Sequence, residues 1–535
     1  MVSAVALALA VFLSPSEPSI TILDARVYTG NPAQPWAEAI RIDGNRIARV
    51  GSTAEIRASG AAGRTIDAGG RLLIPGINDA HAHPSVNPPG ATMLDGPPVA
   101  EHEPTFDEIV ARIARAVPRT PEGMWIVGEI GETVLDDPRA TRQTLDPITG
   151  ARPLILHAWT GHGSIYNTAA LRALGVSETE PDPPGGYFGR VAGGPTLTGF
   201  AQEYANVRLR QRLTMLADVA AQTSGFQAFA KAAASFGITS VQAMMTAYPA
   251  DRAAPWMAAA RLPIRMRLID FPTTAITEWR RPLTRRVSDT VEISGTKWIL
   301  DGTPVERGAF LREPYADAPT TRGRLNITAG DLRAFLKRAF DAREQPMLHV
   351  TGDATLATVL DALEQTGGDA WKPLRPRIEH GDMAQPADLP RALAMGVVIV
   401  QNPAHFTIAQ VIQQRYGPER AARTFLVKSI AASGVTLALG SDGPMNPFLN
   451  IMFAAMNPAN PREALTVDQA LSAYTRGAAM AEHKEADKGT IAPGQLADVA
   501  LLSQDIFRVP LPELPKTTSV LTIMNGRIVH DALAR

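Results

Sequence analysis

The chain has 535 residues, 45% of them apolar and 20% charged, enough for one large barrel plus an accessory domain and unlike a disordered or fibrous chain. Its net charge is −1 and no block of Lys or Arg stands out, which argues against nucleic acid and anionic membrane surfaces as partners. Ten histidines and no cysteine confine any metal to nitrogen and oxygen ligands and leave no disulfide framework.

Taken in order, residues 1–17 read as a signal-like leader or an N-terminal extension, because the apolar run Val2–Leu13 has secretory length and is too short to span a membrane. A cleaved leader places the protein in the periplasm or outside the cell; otherwise it is expected in the cytoplasm. From Ile20 the text alternates like strands, with Asp43-Gly44 as a hairpin turn, and the far end repeats the pattern around Asn525-Gly526. Residues 18–70 and 488–535 are therefore expected to form one small β-sandwich domain from both chain ends.

Next comes the apolar run Leu72-Leu73-Ile74-Pro75, read as continuous with Gly76-Ile77-Asn78-Asp79-Ala80-His81-Ala82-His83. Two histidines spaced i, i+2 leave the same face of an extended chain, so one strand end can offer two nitrogens to one ion. Taken alone, the pair also fits a surface loop. About 150 residues then separate this strand from the next, longer than any ordinary connection. Residues 87–223 are read as an inserted lid or substrate subdomain lying over the mouth of the barrel.

Seven further strand-like segments follow, near 237–242, 264–269, 297–300, 347–350, 377–380, 397–401 and 437–442, separated by helical patterns such as Leu356, Val359, Leu360 and Leu363. Eight strands with helical crossovers predict a distorted (β/α)8 TIM barrel over residues 71–487, with catalytic groups at the C-terminal strand ends. The candidates fall there: His81 and His83 after strand 1, Lys297 on strand 4, His349 on strand 5, His380 on strand 6 and Asp442 on strand 8. Each alone has a plainer reading: a satisfied core histidine, a lysine paired with Asp301, an aspartate that starts a turn. Together they converge on one site.

The stretches Pro75-Gly76, Asp79-Ala80-His81-Ala82-His83, His349-Val350-Thr351-Gly352-Asp353, Arg377-Ile378-Glu379-His380-Gly381 and Gly440-Ser441-Asp442-Gly443-Pro444 resemble the amidohydrolase superfamily, in its branch that includes N-substituted formamide deformylases. Gly161-His162 with Asn167–Leu171, and Lys488-Gly489 with Pro493–Asp498, extend the likeness over nearly the whole chain from Ile20.

The resemblance implies two divalent metal ions, zinc foremost, with His81, His83 and Asp442 on one, His349 and His380 on the other, and a carboxylated Lys297 bridging them. It further implies hydrolysis of a C–N bond in an N-formyl or N-acyl small molecule by metal-activated hydroxide, with Asp442 as general base and His162 as a binder of the carbonyl or its oxyanion. Hydrolysis of lactones, carbamates or cyclic ureas, or a non-catalytic binding protein, are the competing readings. No integral membrane span is expected, and a homodimer fits. His405, Phe406, Trp125, Trp159 and Trp298 are candidate wall residues. Two departures from the family pattern, Trp298 beside Lys297 and Thr160 before Gly161-His162, bear on the substrate pocket.

Overall fold

Eight parallel strands form the body of the molecule in the computed structural model, which describes residues 19–60, 63–85, 87–97, 99, 102–275 and 285–533. The leader expected over 1–17 lies outside the described residues. The barrel strands are β1 (Ile77–Ala82), β2 (Ile238–Met244), β3 (Arg265–Asp270), β4 (Val291–Ile299), β5 (Pro346–Val350), β6 (Arg377–His380), β7 (Val398–Gln401) and β8 (Thr436–Leu439). Each pairs in parallel with its sequence neighbour, the order a (β/α)8 barrel requires. Covered by helices outside and by its own lumen inside, such a strand is buried on both faces, which is why these segments read as apolar runs rather than alternations.

The seam between β8 and β1 closes just beyond the strand ends. Asp442 N–H donates to the His81 carbonyl at 2.9 Å, and Asp79 Oδ1 accepts from the amides of both Ser441 (2.9 Å) and His81 (3.2 Å). Gly440 makes this approach possible, since a Cβ there would lie 2.4 Å from His81 N. Helices follow the expected faces: Leu356, Val359, Leu360 and Leu363 are buried on Asp353–Thr366, and Leu332, Phe335 and Leu336 on Ala329–Asp341. Thr466 and Gln469 form a reciprocal capping box opening Val467–Ser472.

One expectation needs correction. Leu72–Pro75 is not the start of the first barrel strand; it pairs with Arg26–Val27 and Leu501–Val499 in a six-stranded sheet made from both chain ends. The chain turns at Gly76 and begins the barrel at Ile77. Both segments are fully buried, so no change of periodicity marks the boundary. A four-stranded sheet containing Ile20–Leu23, Ala39–Asp43, Arg46–Gly51 and Arg64–Asp67 shares one apolar cluster with that sheet, Ile22, Ile40 and Ile42 meeting Leu73, Val499 and Ile523.

Between β1 and β2 the long interval builds its own six-stranded sheet, running Gly186–Arg190, Leu197–Glu203, Gly163–Tyr166, Leu154–Ala158, Ile126–Ile130, Thr92–Met93 in spatial order. Two apolar clusters line its faces, one around Val127, Ile155 and Tyr166, the other around Ile109, Ile126 and Leu156. Residues of this insert, Trp159, Gly161 and His162 among them, line one cavity with His83, Lys297 and Asp442 of the barrel. Two helices, Tyr204–Thr214 and Val219–Ser235, lead the chain back to β2.

Candidate metal centre

The donors meet at the barrel mouth because each sits where its strand stops. β1 puts both histidines on the lumen side, with their Nε2 atoms 3.2 Å apart. β4 presents Lys297 to the cavity, and the same alternation sends Trp298 outward, its ring 4.3 Å from Phe335. Asp442 lies among the imidazoles: Oδ1 is 3.3 Å from His83 Nε2 and 3.8 Å from His81 Nε2, while Oδ2 is 3.4 Å from His405 Nε2 and 3.7 Å from His380 Nδ1. One ligand atom from each of His81, His380 and Asp442 falls within 4.8 Å of the other two. His349 stands beside them, its ring 4.5 Å from that of His380.

Two of these groups sit on backbone that side chains rarely adopt. His380 has φ 71° and Asp442 φ 38°, left-handed conformations costing about 1–3 kcal/mol each outside glycine. At β6 the twist allows two successive residues to serve the site: Glu379 reaches His81, and His380 reaches Asp442.

Partners behind the clustered side chains fix their orientation. His81 Nδ1 is 2.6 Å from Glu379 Oε2; a carboxylate only accepts, so Nδ1 carries the proton and Nε2 keeps its lone pair for the cluster. Glu379 is held in turn by Arg377 at 2.7 and 3.0 Å. His380 Nδ1 donates to Asn402 Oδ1 (2.9 Å), whose amide nitrogen donates to the Gly440 carbonyl (3.1 Å), and His83 Nδ1 is engaged by Thr246 Oγ1 (2.8 Å). Lys297 forms no pair with Asp301 among the described residues. That carboxylate instead accepts from the amides of Phe310, Thr351 and Gly352 and from the Thr355 hydroxyl.

Burial sets the charge states. It pulls His81 below the ordinary histidine value and His83, His349 and His380 well below it, so all four are neutral, the ligating form. Burial lowers the Lys297 amine to about 8. For Asp442, burial pushes upward, but His81, the His405 hydrogen bond, His83 and His380 outweigh it and hold the carboxyl well below its usual range. His162 moves the other way: burial lowers it, yet the charge of Glu203 and its 2.8 Å hydrogen bond to Nδ1 raise the imidazole above its ordinary value. His405 is likewise raised, Asp442 outweighing its burial.

This donor set fits a divalent cation. It offers neutral imidazole nitrogens and a carboxylate, with no thiolate, and His349 Nε2 is buried without a hydrogen-bond partner among the described residues. A cavity of about 300 Å³ opens on the cluster, lined by His83, His162, Lys297, His349, His380 and Asp442 and walled by Trp159, Val207, Phe271 and Ile299. Of the other wall candidates, Trp125 belongs to the core of the insert, Trp298 to the outer barrel wall, and Phe406 packs on Phe425 at 4.9 Å. His405 touches Asp442, and its ring lies 6.3 Å from that of Trp159.

The sequence reading passed over Glu379, Glu203, Thr246 and Asn402. Only Glu379 carried a local signal, since a strand puts Arg377 and Glu379 on one face.

The amidohydrolase family model matches residues 64–530 of the chain. Among similar proteins, the amidohydrolase-like protein YtcJ of Bacillus subtilis (strain 168) is 26% identical over 529 residues, covering 94% of this chain and 98% of the relative. N-substituted formamide deformylase of Arthrobacter pascens is also 26% identical, covering 96% of this chain and 98% of the relative. A solved structure, an uncharacterized metal-dependent hydrolase from Pyrococcus horikoshii OT3, shares the fold with a TM-score of 0.68 at 20% identity, covering 92% of this chain and 99% of that one. The barrel, the clustered donors at its mouth and a family match spanning most of the sequence lead to one conclusion: the chain belongs to the amidohydrolase family.

Proposed function

We propose that this amidohydrolase cleaves the C–N bond of an N-formyl or N-acyl compound. The observation that carries the reading is the meeting of His81, His83, His380 and Asp442 at the barrel mouth, with Lys297 and His349 lining the same cavity. His81, His83 and Asp442 would hold one divalent ion and His349 and His380 a second, zinc suiting the donors best, with Lys297 as a carbamate bridging the two. When bound, such ions supply Lewis acidity, lowering the pKa of water and polarising a carbonyl. Only a neutral amine adds carbon dioxide, losing a proton as it does so, and burial of Lys297 favours that neutral form.

The chain's own groups then divide the work. Asp442, ionised at neutral pH, takes a proton from the attacking water and returns it to the departing nitrogen, which otherwise leaves as a poor anion. His162, whose protonated form Glu203 favours, lines the cavity with its ring 4.3 Å from that of His349 and donates to the oxygen on which negative charge develops. Trp159, Val207, Phe271 and Ile299 give an apolar wall to the substituent. Lactones, carbamates and cyclic ureas expose the same kind of carbonyl and are the competing substrates.

Elemental analysis of protein produced with bicarbonate, followed by assays on formamides, acyl amines, lactones and carbamates, tests the reading. The expected result is about two divalent ions per chain and turnover of the amides. One ion or fewer in active protein removes the second metal, and turnover confined to lactones or carbamates moves the substrate class. Lys297→Ala should lower both metal content and rate, with partial recovery on adding short carboxylic acids; full activity in that variant would leave Lys297 a purely structural residue.

A further inference from the structure

Arg210 lacks the carboxylate partners that the buried arginines Arg142, Arg377 and Arg415 have. Arg142 pairs with Glu178, Arg377 with Glu379, and Arg415 with Asp136 and Asp317. Arg210, partly buried on the helix Tyr204–Thr214, lines the same cavity as His162 and Asp442 and has no ion-pair or hydrogen-bond partner among the described residues. A guanidinium is always charged, and a desolvated charge without a partner is costly, so a fold keeps one where an anion completes it.

Its placement is built. Asn206, one helical turn before Arg210, donates to the Gly161 carbonyl at 3.0 Å and accepts from the Tyr166 hydroxyl at 2.9 Å, tying the helix to the loop that carries His162. Gly161 has φ 76°, and a Cβ placed there would lie 3.6 Å from Arg210 Nη1. The guanidinium thus rests against the residue that precedes His162. The other carboxylates on this cavity are engaged or peripheral: Glu203 is bonded to His162, Asp442 stands among the imidazoles, and Glu129 is exposed.

We propose that Arg210 anchors a carboxylate on the substrate, so that the compounds cleaved are N-formyl or N-acyl amines bearing a carboxylate, as N-acyl amino acids do. The guanidinium fork matches a carboxylate with two parallel hydrogen bonds, and the neighbouring Val207 and Leu213 take the apolar side chain. This assignment rests on the hydrolase reading for the scissile bond but not for the anion site.

Binding and hydrolysis separate the two. The metal-loaded full chain is titrated, by calorimetry, with N-formyl and N-acetyl derivatives of phenylalanine and leucine, each as the free acid and as the carboxamide, and the same compounds are assayed for cleavage. For at least one pair the acid should bind about tenfold or more tighter than the carboxamide. Arg210→Met should erase that ratio and Arg210→Lys restore part of it, with the metal content of both variants unchanged. Equal binding of acid and carboxamide in every pair, or a ratio that survives in Arg210→Met, overturns the assignment. If the ratio behaves as stated but no compound is cleaved, the anion site stands and the C–N hydrolase reading falls. Cleavage without any preference for the acid does the reverse.

Discussion

Both ends of the barrel hold buried polar groups and use them in opposite ways. At the N-terminal end, Arg267 bonds Ser294 (2.8 Å) and Gln345 (2.8 Å), while Lys488 pairs with Glu482 (2.7 Å) and Ser240 (2.7 Å), and Glu482 also accepts from Asn78 (2.6 Å). A cavity of about 270 Å³ lies there too, lined by Arg265, Arg267, Glu482 and Lys488, but each already has a partner, Arg265 with Asp498 at 3.0 Å. At the C-terminal end the imidazoles turn one edge to partners and the other to a shared space, one ring nitrogen has no hydrogen-bond partner among the described residues, and two of the clustered residues, His380 and Asp442, sit on left-handed backbone. Satisfied polar groups hold a structure together; those left with open valences around a cavity await something else.

Variants at the two ends should therefore fail differently. The largest effect is expected at the satisfied end: Lys488→Met leaves Glu482 short of its buried cation and should cost about 3–5 kcal/mol of stability, with kcat of the folded fraction unchanged. Thermal or denaturant melts alongside kcat test this, and a fall in kcat without a fall in stability would erase the contrast. At the open end Asp442→Asn keeps shape and one oxygen ligand but cannot carry a proton. It should fold, keep most of its metal and lose on the order of a hundredfold in turnover, more for amides than for esters with good leaving groups. Equal losses on both substrate types would leave Asp442 a ligand only and route the proton elsewhere, through His405 for example.

Glu379 joins the two ends, so its replacement sharpens the comparison. Glu379→Gln weakens the hold on His81 and should reduce metal affinity about 10- to 100-fold, read by competition with a chromogenic chelator. Unchanged affinity would separate the Arg377–Glu379 pair from the site. The smallest effect concerns pH. His162 is raised, so its proton is present at low pH and is lost as pH rises through that raised value. Glu203→Gln removes the charge that raises it, and the alkaline limb of kcat should move to lower pH; His162→Ala should remove that limb while the metal stays bound. Loss of metal in His162→Ala would make His162 a ligand or a support instead.

What was readable in the sequence depended on how local its cause was. The His81 and His83 pair, the eight apolar runs and the Thr466–Gln469 cap follow from backbone periods of a few residues, so their spacing alone carried them. The break at Gly76 was hidden because the segments on both sides are buried on both faces. Glu203, Asn402, Thr246 and Arg210 owe their meaning to neighbours 41, 22, 163 or 49 positions away in the chain, brought close only by the folded barrel and insert. Trp298 shows the converse: it looked like a pocket residue because it adjoins Lys297, and a period of two puts it outside.

The hydrogen bond from Asp442 to the His81 carbonyl has a further consequence for how the molecule comes into being. The same two residues sew the last barrel strand to the first and furnish the cluster, so neither task can be finished without the other. A ribosome making this chain releases His81 some 360 residues before Asp442. Throughout that interval the nascent protein holds half a binding site beside an open sheet edge, and Leu72–Pro75 waits longer still for Val499–Leu502. A chain cut short before Asp442 lacks both its closing seam and the carboxylate of the cluster, and one cut between Asp442 and Val499 keeps these and leaves the terminal sheet unpaired.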